Sequence, residues 1–495
     1  MSRKEEDLRA TARSFVGEAF NVLRGDNVIP TPVFHPFLKV GRDYYGPEIM
    51  ALAEFKALES LLDETYPERF SEPLKRRDGE FASSYIFSLL EASVARCGGR
   101  DQDFDPNSAG VDSSISEMLD VLGAPSCEVI CCRLVAHLTT AAGSAVKVGD
   151  VEVVPEAEPA GSRSLQQRIA REIPMAWIAF NRGDPWVYDP PHALLIVRDS
   201  SAEEPYGIAE RLSHRLERFL LLARLLTAGT AHSYFEVCGP ATLVSRMSPT
   251  MSTFRRGALA IGGPVIRRTI RLDGSEASAF EALGRLIDTA DIERSGMTAT
   301  LFDVAINKFL GAQGPGNDYG QLVDLATALE AILAGGEKDN EGLTLRLRGR
   351  AAALLATETD PATAVFDDVG QLYGLRSKLV HGGQIKQRDL RKIIGRISTV
   401  PSESIEHRFG IAVGYALDRM RDLVRRSILA RLCLASEPDP LWPFRGTTPV
   451  DAILSDDVLR ASWRTRWRDR LTAMGGESGA NPPRSAVDFL SQEDR

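Results

Sequence analysis

Cysteine is scarce in this chain: six in 495 residues, at positions 97, 127, 131, 132, 238 and 433 with no regular spacing. Such sparse placement argues against a disulfide framework and for a reducing, cytoplasmic setting. Aromatic residues are also thin, at 7 %. No apolar run approaches the roughly 18–20 residues that a bilayer-spanning helix needs, so no membrane partner is expected. The opening MSRKEEDLRATARSF mixes both charge signs and lacks an apolar stretch, so a secretory signal is not expected either. Positive charge is in deficit: 59 Lys and Arg stand against 68 Asp and Glu, a net charge of −9. Sequence-blind attraction to nucleic acid is thereby disfavoured, and any nucleic-acid function must rest on a local basic patch. The chain has no G-x4-G-K-[ST] loop, no H-E-x-x-H and no G-x-S-x-G elbow, so P-loop hydrolysis, zincin chemistry and α/β-hydrolase chemistry lose their usual signatures.

What is present is ordinary globular material, 43 % hydrophobic and 26 % charged, long enough for two to four domains. Helical spacing of apolar residues predicts helices over 4–24, 46–64, 80–96 and 114–123, a mainly helical part covering 1–125. From 126 to 290 the pattern becomes mixed α/β. Strands are expected at 127–139, 147–154, 175–180 and 193–198, and again near 233–247 and 257–272, with a helix near 206–228. The expected role is a sensing region, separate from 1–125 or continuous with it. From 295 to 436 the periodicity is helical throughout, with helices over 362–380, 387–397 and 403–434, the signature of a bundle. Pro438–Pro449 reads as a linker, 455–472 as a short helix, and the tail from Gly475 as disordered. The expected fold class is α+β, a mixed α/β N-terminal region followed by an all-α bundle.

Among candidate sites, Cys127-x3-Cys131-Cys132-x4-His137 faintly resembles a metal cluster. It lies in an apolar strand pattern and lacks C-x2-C spacing, so buried core cysteines are the preferred reading and no metal or cofactor is expected. Trp463 and Trp467, one helical turn apart, offer a base-stacking face. The preferred reading is that both rings dock the helix, with the surrounding arginines outside.

The informative stretch is Leu372-Tyr-Gly-Leu-Arg-Ser-Lys-Leu-Val-His-Gly-Gly. On a straight helix Arg376 and His381 stand roughly 140° apart, so they converge on one phosphate only if the helix ends near His381 or a second subunit completes the site. The Gly382-Gly383 pair is a plausible helix terminator. The chemistry is coherent. Histidine titrates near neutrality and can move the protons of a 2′-hydroxyl and a leaving oxygen, and an arginine fork can hold the charge that develops on phosphorus. Ser377 adds a hydrogen-bonding group. Glu330, on an otherwise apolar helix face, wants a cationic partner, which Arg376 could supply. Lys378, Lys386, Arg388, Arg391, Lys392 and Arg396 make a local basic run opposed only by Asp389, and Arg346, Arg348 and Arg350 form a second cluster. A solvated helix face accounts for the first run equally well.

Three segments together resemble the HEPN domains of the ApeA-like group found in prokaryotic defence genes. They are Leu322-Val-Asp-Leu-Ala-Thr-Ala-Leu-Glu-Ala-Ile-Leu, then Leu343-Thr-Leu-Arg-Leu-Arg-Gly-Arg-Ala-Ala-Ala-Leu-Leu, then Val369 through Gly383. The likeness covers about 140 residues, under a third of the chain. It implies an all-helical HEPN bundle at 295–436 and a metal-independent endoribonuclease whose R-x4–6-H motif falls on Arg376 and His381. It further implies a homodimer lining one cleft with two motifs, RNA (tRNA or mRNA) as the substrate, and a toxin-like anti-phage effector with a phage-derived trigger acting on the N-terminal region. Where the family commonly carries Asn, Asp or His after the arginine, this chain carries Ser377. The alternative expectation is an inactive HEPN module that dimerises or binds nucleic acid or another partner, as some family members do.

Overall fold

The computed structural model describes residues 3–25, 46–70, 82–97, 105–124, 126–156, 163–174, 192–201, 205–244, 250–253, 268–289, 300–312, 318–334, 342–380, 386–435 and 450–483. The strand expected at 175–180 and most of the one expected at 257–272 lie outside them.

Among the described residues the first helices are α1 (Arg3–Gly25), α2 (Gly46–Ala51), α3 (Ala53–Thr65), α4 (Pro67–Phe70), α5 (Ala82–Arg96) and α6 (Ala109–Gly123). On α1, Leu8, Ala12, Phe15, Ala19 and Leu23 recur every three or four residues, so burying one stripe buries them all. Phe15 meets Phe55 of α3 edge to face, ring centroids 5.8 Å apart. These helices have a core of their own.

The chain then alternates strands and helices: β1 (Cys127–Ala136), β2 (Leu138–Thr140), β3 (Val146–Val148), β4 (Val151–Pro155), α7 (Arg163–Glu172), β5 (His192–Ser201), α8 (Pro205–Thr227), β6 (His232–Pro240), β7 (Thr250–Thr253), β8 (Ile270–Leu272) and α9 (Ala277–Thr289). Six strands form an antiparallel sheet in the order β3-β4-β5-β1-β6-β7, and β2 pairs with β8 in a short parallel ribbon. Both sheet faces are covered, which explains why β1 reads as a continuous apolar run. Val129, Cys131 and Val135 face the core shared with α8, whereas Ile130, Cys132 and Leu134 face Leu165, Ile169 and Ile173 at α7.

Among the described residues there follow helices α10 (Leu301–Gly311), α11 (Asp318–Leu333), α12 (Leu343–Leu355), α13 (Ala362–Val380), α14 (Gln387–Ile394), α15 (Ser402–His407), α16 (Phe409–Ala435), α17 (Val450–Ser455) and α18 (Asp457–Ala473). The sequence pattern gives one helix over 403–434, and the chain instead breaks at Arg408 into α15 and α16. Thr300 opens α10 with a reciprocal capping box, its hydroxyl taking the Asp303 amide while the Asp303 carboxylate takes the Thr300 amide. The axis of this region is α16, whose side chains from Ala412 to Leu434 are all buried. One apolar core runs from the sheet through α8 into these helices, so the boundary expected near 290–295 separates two stretches of sequence that share a core. The described chain is thus α+β, predominantly helical with an antiparallel sheet.

Three expectations are corrected. Cys131 and Cys238 form a disulfide across β1 and β6, where antiparallel register sets them opposite each other despite a separation of 107 residues. Of the tail expected to be disordered, Gly475–Pro483 is ordered, while 484–495, like the linker expected over Pro438–Pro449, lies outside the described residues. Arg425 of α16 donates to the carbonyls of Gly479 and Asn481, each at 2.8 Å, and Ala480 is buried. On α18 both tryptophans are buried, as expected, but two of the arginines turn inward. Arg464 donates to the carbonyls of Ala352 and Ala353, and Arg468 to that of Ala356 at 2.7 Å. These are the carbonyls that the end of α12 leaves without helical donors, so α18 caps α12 from outside.

No helix among the described residues is long and apolar enough to cross a membrane.

Candidate active site

The site is built on α13. Four residues of this helix, Val365, Val369, Leu372 and Leu375, face the core and fix its rotation. Asp368, fully buried, fixes its position along the axis. Its carboxylate accepts from Arg419 Nε at 2.8 Å, from the Ser398 amide at 2.8 Å and from the Ser398 hydroxyl at 2.6 Å. A buried carboxylate with three donors is satisfied, and it ties α13 to α16 and to the segment before α15.

Arg376 is thereby presented one turn before the last residue of α13. Its Nη2 lies 3.9 Å from Glu330 Oε2, in the last turn of α11. The same carboxylate oxygen accepts a 2.9 Å hydrogen bond from the Tyr373 hydroxyl. The Arg376 guanidinium carbon stands 5.6 Å from the centroid of the Tyr373 ring, at the outer reach of a cation–π contact. Burial, helped by the hydrogen bond and charge of Glu330 and opposed by Arg376, pushes the Tyr373 phenol up to about 12. Glu330 therefore serves two groups, the phenol closely and the guanidinium at arm's length. Arg376 Nε is buried with no acceptor among the described residues. The guanidinium is thus held in place without having its donors consumed.

Ser377 follows, half-buried, and Lys378 is exposed. His381 lies outside the described residues, as do Gly382 and Gly383. Of the basic run, Lys386, Arg388, Lys392 and Arg396 are exposed. Arg391 is engaged inward, donating to the Ile405 carbonyl at 2.8 Å and stacking over Phe409 at 5.0 Å. The second cluster is largely used in packing. Arg350 is buried, forking Asp451 and donating to the Leu333 carbonyl at 2.7 Å. Arg348 lies across α13 at Gly370, donating to the Phe366 carbonyl at 3.0 Å. A Cβ at position 370 would fall 2.7 Å from its Nε.

The faint metal cluster does not converge. Cys131 is in the disulfide, while Cys132 points to the opposite face of β1, where burial pushes its thiol well above the ordinary range. Cys131, Cys238 and Glu236 do sit within 4.8 Å of one another, but Glu236 is engaged by Arg133 and the Ser213 hydroxyl.

Sequence reasoning overlooked Tyr373. Its signal was available: three residues before Arg376, it shares that residue's helix face. The chain matches no family model, no curated protein and no solved structure.

Proposed function

We propose that this protein is a metal-independent endoribonuclease of HEPN type, with Arg376 as the transition-state cation and His381 as the proton-transfer group. The observation that carries this reading is the state of Arg376, a half-buried guanidinium steered by Glu330 and Tyr373 yet left with unused donors. A purely structural arginine at such a place spends its donors on carbonyls and carboxylates, as Arg350 does. A preorganised cation with donors in reserve is what a phosphorane requires.

The reaction is an internal transfer. A base removes the 2′-hydroxyl proton, the 2′-oxygen attacks the adjacent phosphorus, and the bond to the 5′-oxygen breaks as that oxygen takes up a proton. The products are a 2′,3′-cyclic phosphate and a 5′-hydroxyl. His381 performs one or both proton transfers, and Arg376 holds the extra negative charge between them. Ser377 adds a hydrogen bond. Exposed Lys378, Lys386, Arg388 and Lys392 engage the flanking RNA phosphates. Two copies pair through the helical region to form one cleft, and the N-terminal region restrains the nuclease until a phage-derived trigger arrives. The second reading is a HEPN module that binds RNA or a partner without cleaving, favoured by the net charge of −9.

The test is cleavage of total RNA and tRNA in excess EDTA by wild type, Arg376→Ala and His381→Ala, each confirmed folded. Cleavage by wild type alone, leaving a 2′,3′-cyclic phosphate, establishes the enzyme and both residues. Equal cleavage by all three overturns the assignment. RNA binding without cleavage by any of them selects the second reading.

A further inference from the structure

The cysteine and histidine run of β1 does not converge on a point, but three other ligating groups do. β1 and β6 are antiparallel neighbours. Their register sets Cys131 opposite Cys238 and, one step along the same face, Arg133 opposite Glu236. The two sulfur atoms and a carboxylate oxygen of Glu236 lie within 4.8 Å of one another. All three residues are buried where the sheet meets α8. Cys238 Sγ lies 3.8 Å from the Ala209 carbonyl oxygen of that helix.

Glu236 is held as a metal-ligating carboxylate is held. Its Oε2 accepts from Arg133 Nε at 2.6 Å, and its Oε1 accepts from the Ser213 hydroxyl of α8 at 2.8 Å. Arg133 Nη2 in turn donates to the Ser213 hydroxyl oxygen at 3.1 Å, which closes the group. Carboxylate ligands are oriented by outer hydrogen bonds of this kind. Each carboxylate oxygen offers two acceptor positions, and among the described residues Oε1 takes one hydrogen bond, so a position remains for a metal. The charges also balance. Two thiolates and one carboxylate are offset by a divalent cation together with the Arg133 guanidinium, as a buried cluster requires.

We propose that the Cys131–Cys238 disulfide is one state of a redox-gated site for a thiophilic divalent metal of the zinc class, with Cys131, Cys238 and Glu236 as its protein ligands and water in the fourth position. Two thiolates select such a metal over magnesium or calcium, and zinc accepts three protein ligands and a water. The disulfide opens first. A dithiol reductant attacks one sulfur, closes on itself and leaves as a disulfide, passing two electrons to the cysteine pair while its two protons end on the cysteine sulfurs. The metal then displaces both of those protons. Metal ligation takes the place of the covalent link, so β1 and β6 stay joined in both states. The site stands apart from Arg376 and does not depend on the nuclease reading.

The test uses the full chain, reduced without denaturant by dithiothreitol and freed of it by gel filtration in the absence of air. A gain of two alkylatable thiols confirms the reduction. Cobalt(II) is the probe, because tetrahedral thiolate ligation gives it charge-transfer and d–d absorption that zinc lacks. Reduced wild type should take up one cobalt with both bands, zinc should displace it, and the oxidised chain should show neither band. Cys238→Ser should abolish the charge-transfer band of the pair. Cys132→Ala, whose side chain points to the other face of β1, should bind as wild type does. Ser213→Ala should weaken binding about 10- to 100-fold, as loss of an outer hydrogen bond does, and Glu236→Gln should weaken it further. These two variants keep both cysteines and carry the test should Cys238→Ser not fold. A disulfide that resists native reduction, no cobalt bands in the reduced chain, or bands that survive Cys238→Ser or Glu236→Gln unchanged overturn the proposal and leave a permanent cross-link.

Discussion

Glu330 reaches Arg376 at 3.9 Å, a distance at which a carboxylate steers a guanidinium without saturating it. The closer partner of Glu330 is the Tyr373 hydroxyl, at 2.9 Å. The pair is half-buried, with side-chain exposures of 23 % for Arg376 and 34 % for Glu330, so its worth to stability is close to that of a surface pair, about 1 kcal/mol or less. Its value lies in orientation.

That distinction gives the first prediction. Glu330→Gln keeps an acceptor for Tyr373 and removes the charge facing Arg376. RNA cleavage should fall, by up to about 100-fold for a misplacement near 1 Å, while the unfolding midpoint barely moves. Tyr373→Phe should give a smaller loss and should erase the phenol that titrates near 12 in an ultraviolet pH scan. A large drop in stability with unchanged cleavage would make Glu330 a structural residue.

The second prediction concerns Asp360. It accepts from Arg419 at 2.7 and 2.9 Å and from Arg426 at 2.5 Å, all of them buried. Asp360→Asn leaves two buried guanidiniums short of a counter-charge. Breaking one side of a buried pair typically costs about 3–5 kcal/mol, so a urea midpoint well below that of wild type is expected with an unchanged m-value. Asp360→Ala should be at least as damaging, since it removes the acceptor as well.

These buried charges mark the limit of what the sequence disclosed. The helix α13 was legible because its apolar residues repeat at helical spacing and nothing interrupts them up to Val380. Placing Glu330 beside Arg376 was legible from one acid on an apolar face. The environment of α16 was not. Its alternating arginines and aspartates resemble a solvated helix, yet Arg425 and Arg426 are satisfied by partners such as the carbonyls of Leu225, 200 residues away, and Leu355, 71 residues away. Local spacing carries no information about such partners. The disulfide was hidden for the same reason, and so was the inward turn of Arg464 and Arg468, whose partners lie more than a hundred residues upstream.

A third prediction follows from the protonation of this network. Burial tends to raise the pKa of Asp360, but the hydrogen bonds and charges of Arg419 and Arg426 carry it below the ordinary carboxylate value. In Asp422, likewise, Arg426, Arg425 and Arg419 outweigh burial and lower the pKa. A carboxylate whose folded pKa is depressed adds stability that is fully present above the unfolded pKa, about 3.9, and is lost as pH falls through the folded value. Unfolding free energy should therefore be insensitive to these groups near neutrality and decline below about pH 4. In Asp360→Asn that acid-side decline should be shallower, because one of the two titrating groups is gone. Equal slopes in the two proteins would remove Asp360 from the account of acid unfolding.

The last prediction concerns the segment after α18. Arg425 sends one nitrogen to the Gly479 carbonyl and another to that of Asn481, and Gly476 packs so closely on Leu226 and Leu471 that an added Cβ would fall within 2.9 Å of both. A chain ending at Met474 loses both acceptors and leaves a buried guanidinium facing space they had filled. Hydrogen bonds to a charged group contribute about 1.5–3 kcal/mol each, so the shortened chain should be less stable than one ending at Pro483 by about 3–6 kcal/mol. The comparison between these two end points isolates residues 475–483, and thermal melts read it directly. Arg425→Met in the chain ending at Pro483 should reproduce part of the loss, whereas in the chain ending at Met474 it should cost much less, since the charge it removes no longer has those two acceptors. Coincident melting of the two chains would mean that this segment contributes nothing to the core it covers, and that Arg425 is satisfied by Asp422 and Leu225 alone.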